Sequence, residues 1–210
     1  MTNYIQHSQF GTPEQIQEIA AFLLSKEQYI IDTYPFVSYF GTDDPTLDNP
    51  GNLVTTRSGT YNVFQFVSEC PVLDSLKTFL ISEYKNYLIT KNFMNYVVNP
   101  AINCWVNVIR EGESIRYHKH SGHEMSFVSG TMVLQAEITN TWYKFDDGEL
   151  VRVPNVPGKV SIFPCNVLHW TDMHYGNNPR ITLGFDFMFD KETSTSNPVF
   201  HAALVPFQMP

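Results

Sequence analysis

The chain has 210 residues and a mass of 24.1 kDa, room for one full hydrophobic core but not for two. Apolar residues make up 43% and charged residues 16%, a balance that excludes a disordered or fibrous chain and points to a globule. Thirteen Lys and Arg against 21 Asp and Glu leave a net charge of −8, which gives no electrostatic grip on nucleic acid or on an anionic membrane, so neither is expected as a partner.

The opening MTNYIQHSQF has no basic stretch followed by an apolar one, so no signal peptide is expected. Apolar runs such as 19–24 fall far short of a membrane span. Thr12-Pro13-Glu14-Gln15 reads as a helix start, with Thr as cap, Pro at the first helical position and Gln closing the capping box. Ile16, Ile19, Ala20 and Leu23 then repeat at helical spacing, which predicts an amphipathic helix over 12–27. The segment 39–52, rich in Gly, Asp, Pro, Thr and Asn, reads as a mobile acidic loop, and 52–66, rich in Thr, Val, Tyr and Phe, as strand-like chain. Pro71 opens a second helix whose stripe is Leu73, Leu76, Leu80, Tyr84 and Tyr87, ending before Asn99-Pro100.

From Ala101 onward β-branched and aromatic residues dominate, broken by Glu111-Gly112, Asp147-Gly148 and Pro157-Gly158, so the second half reads as all-β. In the last long strand Ile181, Leu183, Phe185, Phe187 and Phe189 alternate with Arg180, Thr182, Gly184, Asp186 and Met188, giving one packed face and one polar interior face. Helices followed by strands predict an α+β, mainly β domain in which two helices brace a strand barrel or sandwich. One domain over 1–210 is expected, with 1–100 as helical support and flanking strands, 101–190 as the strand core and 191–210 as a tail. The apolar end 199–210 either packs back on the domain or forms a homodimer seam. Cys70, Cys104 and Cys165 are an odd set without CxxC spacing, which disfavours a disulfide framework and fits a cytoplasmic protein.

Five of the seven histidines lie between 118 and 174. His118 and His120, at i and i+2, project from one face of an extended chain, and His169 would add a third ligand from a distant strand, leaving coordination positions open as a catalytic metal requires. The plainer alternative is a strand of solvated histidines. His123 and His174 read as solvated loop residues, and Tyr117, Trp142 and Trp170 as either substrate-mouth or core aromatics.

With these residues in place, the sequence from Cys104 to Phe189 resembles the 2-oxoglutarate- and Fe(II)-dependent oxygenases, especially the prolyl-hydroxylase-like branch and its small phage and marine bacterial relatives. The matching pieces are CWVNVIREGESIRYHKH from Cys104, SGTMVL from Ser129, GKVSIFPCNVLHW from Gly158 and RITLGFDF from Arg180. The resemblance implies a double-stranded β-helix, the jelly-roll-like barrel shared with cupins. It implies Fe(II) held by His118, His120 and His169, 2-oxoglutarate held by Arg180 and Thr182, dioxygen as co-substrate, and hydroxylation of a peptidyl side chain or small metabolite. Asn107 is a further polar candidate for the co-substrate pocket. An arginine on the inner face needs an anion, and a planar carboxylate matches its fork; a salt bridge to Asp186 or Asp172 is the alternative.

One position departs from the family's pattern. Where most members carry H-x-D or H-x-E, this chain has His120; Glu124 or Asp172 is the other source of a carboxylate ligand. Two rival readings remain open, a cupin-like three-histidine metalloenzyme that does not use 2-oxoglutarate and a non-catalytic binding barrel.

Overall fold

The computed structural model describes residues 4–35, 60–91, 100–120, 126–189 and 205–206. After a short strand β1 (Gln6–Gln9), helix α1 runs over Pro13–Thr33 with the expected capping box: Thr12 Oγ1 accepts from Gln15 N and Gln15 Oε1 accepts from Thr12 N. The helix continues past the predicted end at 27 because Glu27 and Ile30 extend the buried stripe of Ile16, Ile19, Ala20 and Leu23. Helix α2 (Val72–Thr90) buries Leu73, Leu76, Leu80, Tyr84 and Tyr87 as the spacing predicts.

The expected strand-like chain over 52–66 is corrected where it is described. Val63–Phe66 forms a 3-10 turn capped by Asn62, whose side chain accepts from Phe64 N and donates to Ile102 O. Its Val63, Phe64 and Phe66 are apolar because they fill the core, a requirement that burial imposes on turns as well as strands. The acidic loop 39–52 lies outside the described residues.

The strands that follow are β2 (Pro100–Ile109), β3 (Ser126–Gln135), β4 (Asn140–Lys144), β5 (Leu150–Pro154), β6 (Lys159–Pro164), β7 (Leu168–Thr171), β8 (Arg180–Phe189) and β9 (Val205–Pro206). They make a six-stranded sheet in the order β1-β6-β3-β8-β2-β9 and a three-stranded sheet β5-β4-β7, every pairing antiparallel. On the large sheet, Ile181, Leu183, Phe185 and Phe187 of β8 join Ile102, Val106 and Val108 of β2 and the stripes of both helices in one core; Tyr84 stacks on Phe187 with ring centroids 4.4 Å apart. The helices therefore cover the outside of this sheet. Its other face looks across at the small sheet, where Tyr143 packs edge-on against Phe163. In the apolar tail, Val205–Pro206 pairs with β2 at Ala101 and Ile102, and the rest lies outside the described residues. Among the described residues no helix is long and apolar enough to cross a membrane.

Candidate metal centre

The alternation of β8 decides what enters the space between the sheets. With Ile181, Leu183, Phe185 and Phe187 committed to the helices, Arg180, Thr182, Gly184 and Asp186 must face inward, and all are buried. Register sets their neighbours: Asn107 lies opposite Thr182, Trp105 opposite Gly184, and Ser129 opposite Asp186. A Cβ at Gly184 would sit 2.5 Å from Trp105 Cε2, so only glycine lets the indole lie across β8.

His118 and His169 are joined backbone to backbone. His118 N donates to His169 O and His169 N donates to His118 O, both at 2.9 Å, so the segment after Gly112 lies along β7 as an irregular extra strand. Gly112, at φ 80, makes the turn into it, and its amide donates to His174 O. His120 follows, its amide bonded to Cys165 O. The ligand atoms of His118, His120 and His169 all lie within 4.8 Å of one another, which makes them a group able to hold a metal ion.

The tautomers of the three rings follow from their partners. His118 Nδ1 is 2.8 Å from Arg116 O and His169 Nδ1 is 3.0 Å from Val167 O; a carbonyl only accepts, so Nδ1 carries the proton in both. His120 Nδ1 is 2.6 Å from Asp186 Oδ1, which Ser129 Oγ also reaches at 2.6 Å. Each ring is thus left with Nε2 as its free lone pair, the arrangement of metal-binding histidines oriented from behind. Burial and the neighbouring His120 hold His118 down to about 4, and burial with both neighbours holds His169 well below its ordinary value. Both are neutral at pH 7, as metal ligands must be.

The histidines open onto a small cavity of about 40 Å³, lined also by Trp105, Asn107, Thr131, Trp170, Thr171 and Thr182. Asn107 Nδ2 is 3.3 Å from Thr182 Oγ1. Arg180, fully buried, donates from Nη2 to Thr171 Oγ1 at 2.9 Å, while its Nε and Nη1 have no hydrogen-bond partner among the described residues. Burial lowers its pKa to about 10, so it remains charged at neutral pH. Among the described residues no ion pair to Arg180 forms, neither with Asp186 nor with Asp172. A broader surface hollow of about 770 Å³, lined by 136–140, Arg152, Pro154 and Asn155, contains none of the histidines.

Several expectations change here. Asp172 lies outside the group of converging ligand atoms: Oδ2 accepts from Asn140 N and Nδ2 and Oδ1 from Trp142 Nε1, and burial, which raises its pKa, is outweighed by these bonds and by Arg152, which lower it. His174 is not solvated; it is wholly buried, with Nε2 bonded to Asn178 O, because the loop folds back onto Gly112 and Glu113. Tyr117 is 67% exposed, whereas Trp170 lines the cavity with Trp142 stacked on it. Glu124 and His123 lie outside the described residues. Thr171 and Ser129 were not singled out in the sequence, although Thr171 stands two residues after His169 and therefore on its face.

No protein-family model matches the chain, and no curated protein does. Solved structures do. A Pseudomonas putida prolyl-4-hydroxylase is 13% identical, with 89% of this chain and 94% of that one covered at a TM-score of 0.59. A Trichoplax adhaerens prolyl hydroxylase, solved with a hypoxia inducible factor oxygen degradation domain peptide, is 12% identical, with 89% and 84% covered at 0.63. The chain has the prolyl-hydroxylase fold. That fold is the jelly-roll-like barrel expected from the sequence, here closed by the large sheet with its two helices on one side and the small sheet on the other.

Proposed function

We propose that the protein is a non-haem Fe(II)- and 2-oxoglutarate-dependent oxygenase that hydroxylates a peptidyl side chain or a small metabolite. The observation that carries this reading is Arg180. A buried guanidinium with two unpartnered donor groups calls for an anion, and a carboxylate accepts two parallel bonds from it. Its one described partner, Thr171, is two residues from His169 on β7, about 7 Å along a strand, which suits a short dicarboxylate reaching from the histidines to the arginine.

The residues present fit the cofactors. His118, His120 and His169 would hold Fe(II) through Nε2; Arg180, Thr182 and Asn107 would hold the far carboxylate of 2-oxoglutarate. Together the bound pair supplies oxidative decarboxylation of the keto acid by dioxygen, giving succinate and carbon dioxide, and oxidation of a substrate C–H bond. The protein's part is positional. Backbone carbonyls orient two of the rings, Trp105 and Trp170 wall the cavity against water, and Arg180 neutralises the carboxylate away from solvent. The peptide bound to the Trichoplax adhaerens enzyme supports a peptidyl substrate.

The all-imidazole donor set favours a second reading, a cupin-like three-histidine metalloenzyme with no use for 2-oxoglutarate. One experiment separates the two. With Mn(II) in place of iron and without oxygen, 2-oxoglutarate at roughly 100 times its dissociation constant should stabilise the protein by about 2.7 kcal/mol, seen as a rise in Tm. Arg180→Ala should abolish the shift, and Arg180→Lys should weaken it while keeping the fold. No shift in wild type, or an equal shift in Arg180→Ala, rejects 2-oxoglutarate and leaves the three-histidine reading.

A further inference from the structure

The three rings are not supported alike. His118 and His169 lean on neutral backbone carbonyls, whereas His120, the residue that replaces the usual carboxylate ligand, leans on a carboxylate at 2.6 Å. Asp186 is 3% exposed, on a strand whose other face is packed with phenylalanines. Among the described residues the buried acids are Glu27 and Asp186. Glu27 has Arg110 as a bidentate partner; Asp186 has no lysine or arginine. A carboxylate held that deep without a fixed cation is costly unless a positive charge lies close by. Antiparallel register puts Ser129 on its flank, and the serine hydroxyl fixes the same oxygen that faces His120.

We propose that Asp186, braced by Ser129, is a positioning residue for the metal centre, holding His120 through Nδ1 and supplying from one imidazole away the negative charge that three neutral ligands lack. The inference rests on the reading of His118, His120 and His169 as ligands to one divalent ion. A carboxylate behind a ligating imidazole raises its basicity and fixes its orientation, so the charge of an H-x-D site is kept while its direct metal–oxygen bond is given up. The consequence is largest at His120, since neither of the other rings has an acidic hydrogen-bond partner among the described residues.

Co(II) is a suitable probe, because its visible spectrum reports the ligand field. Asp186→Asn keeps the shape and an acceptor oxygen but removes the charge; it should bind Co(II) about 10- to 100-fold more weakly, with a shifted d–d spectrum. Ser129→Ala should move both readouts in the same direction by less. Wild type that binds no Co(II), or His118→Ala that binds it as well as wild type, removes the three-histidine reading and this inference together. If wild type binds, His118→Ala does not, and Asp186→Asn matches wild type in affinity and spectrum, only the inference is overturned. Should Asp186→Asn fail to fold, proton NMR of the Zn(II)-loaded wild type decides. A ring Nδ1–H of His120 well downfield of those of His118 and His169 supports the carboxylate's role, and three alike resonances overturn it.

Discussion

Asp172 and Asp186 are the same side chain in opposite circumstances. Asp172 is consumed by Asn140 and Trp142 at the edge of the small sheet, while Asp186 has only Ser129 and His120 as its described partners, inside the barrel. Sequence spacing placed Asp186 on the inner face of β8 but could not say which partner it meets, because Ser129 and His120 reach it from 57 and 66 residues away. The same strand gives two tests. Thr182→Val keeps the shape and loses the hydroxyl, and should weaken 2-oxoglutarate binding by about 1 kcal/mol, roughly fivefold by calorimetry. Gly184→Ala drives a methyl into the Trp105 ring and should cost about 1–3 kcal/mol of stability, read from denaturant unfolding, with the indole fluorescence altered.

At the scale of elements, periodicity served well where a single face is buried and failed where a charge or a turn sits in the core. The stripes of α1 and α2 and the alternation of β8 are visible in the sequence because each packs one face against the same core. The end of α1 is not, since Glu27 reads as a surface residue until Arg110, 83 residues on, pairs with both of its oxygens. Arg110→Ala should leave that carboxylate buried and unpaired, costing about 1–3 kcal/mol. Adding Glu27→Leu should recover most of the loss in the same urea titration, because the pair replaced by apolar contact is near neutral. The 3-10 turn at Val63–Phe66 was hidden for the related reason that apolar composition marks burial, not backbone conformation.

For the molecule as a whole, the α+β, mainly β arrangement and the meeting of His118 with His169 were legible, while the backbone bridge that joins the two was not. No local pattern announces a bridge between segments 51 residues apart. Burying neutral histidines has a cost in acid. The unfolded chain protonates such rings near 6.5, and folded His118 only near about 4, so between these values the unfolded state binds more protons. Metal-free protein should therefore keep its full stability above about 6.5 and lose it progressively as pH falls toward about 4, measured as a falling Tm. Saturating Mn(II) should push that loss to lower pH, since a coordinated ring cannot take up the proton without releasing the ion.

The reciprocal amides of His118 and His169 make the candidate metal site readable from the backbone. Each N–H is locked into the other's carbonyl, so deuterium can enter only when the strand segment peels from β7, an opening that also separates two of the three candidate ligand rings. Any ion bound across those rings must leave before the peel. The exchange rates of these two amides should then fall in proportion to free ion concentration divided by its dissociation constant, and amides at the centre of β2 and β8 that exchange only through global unfolding should slow by the same factor, because that unfolding releases the ion too.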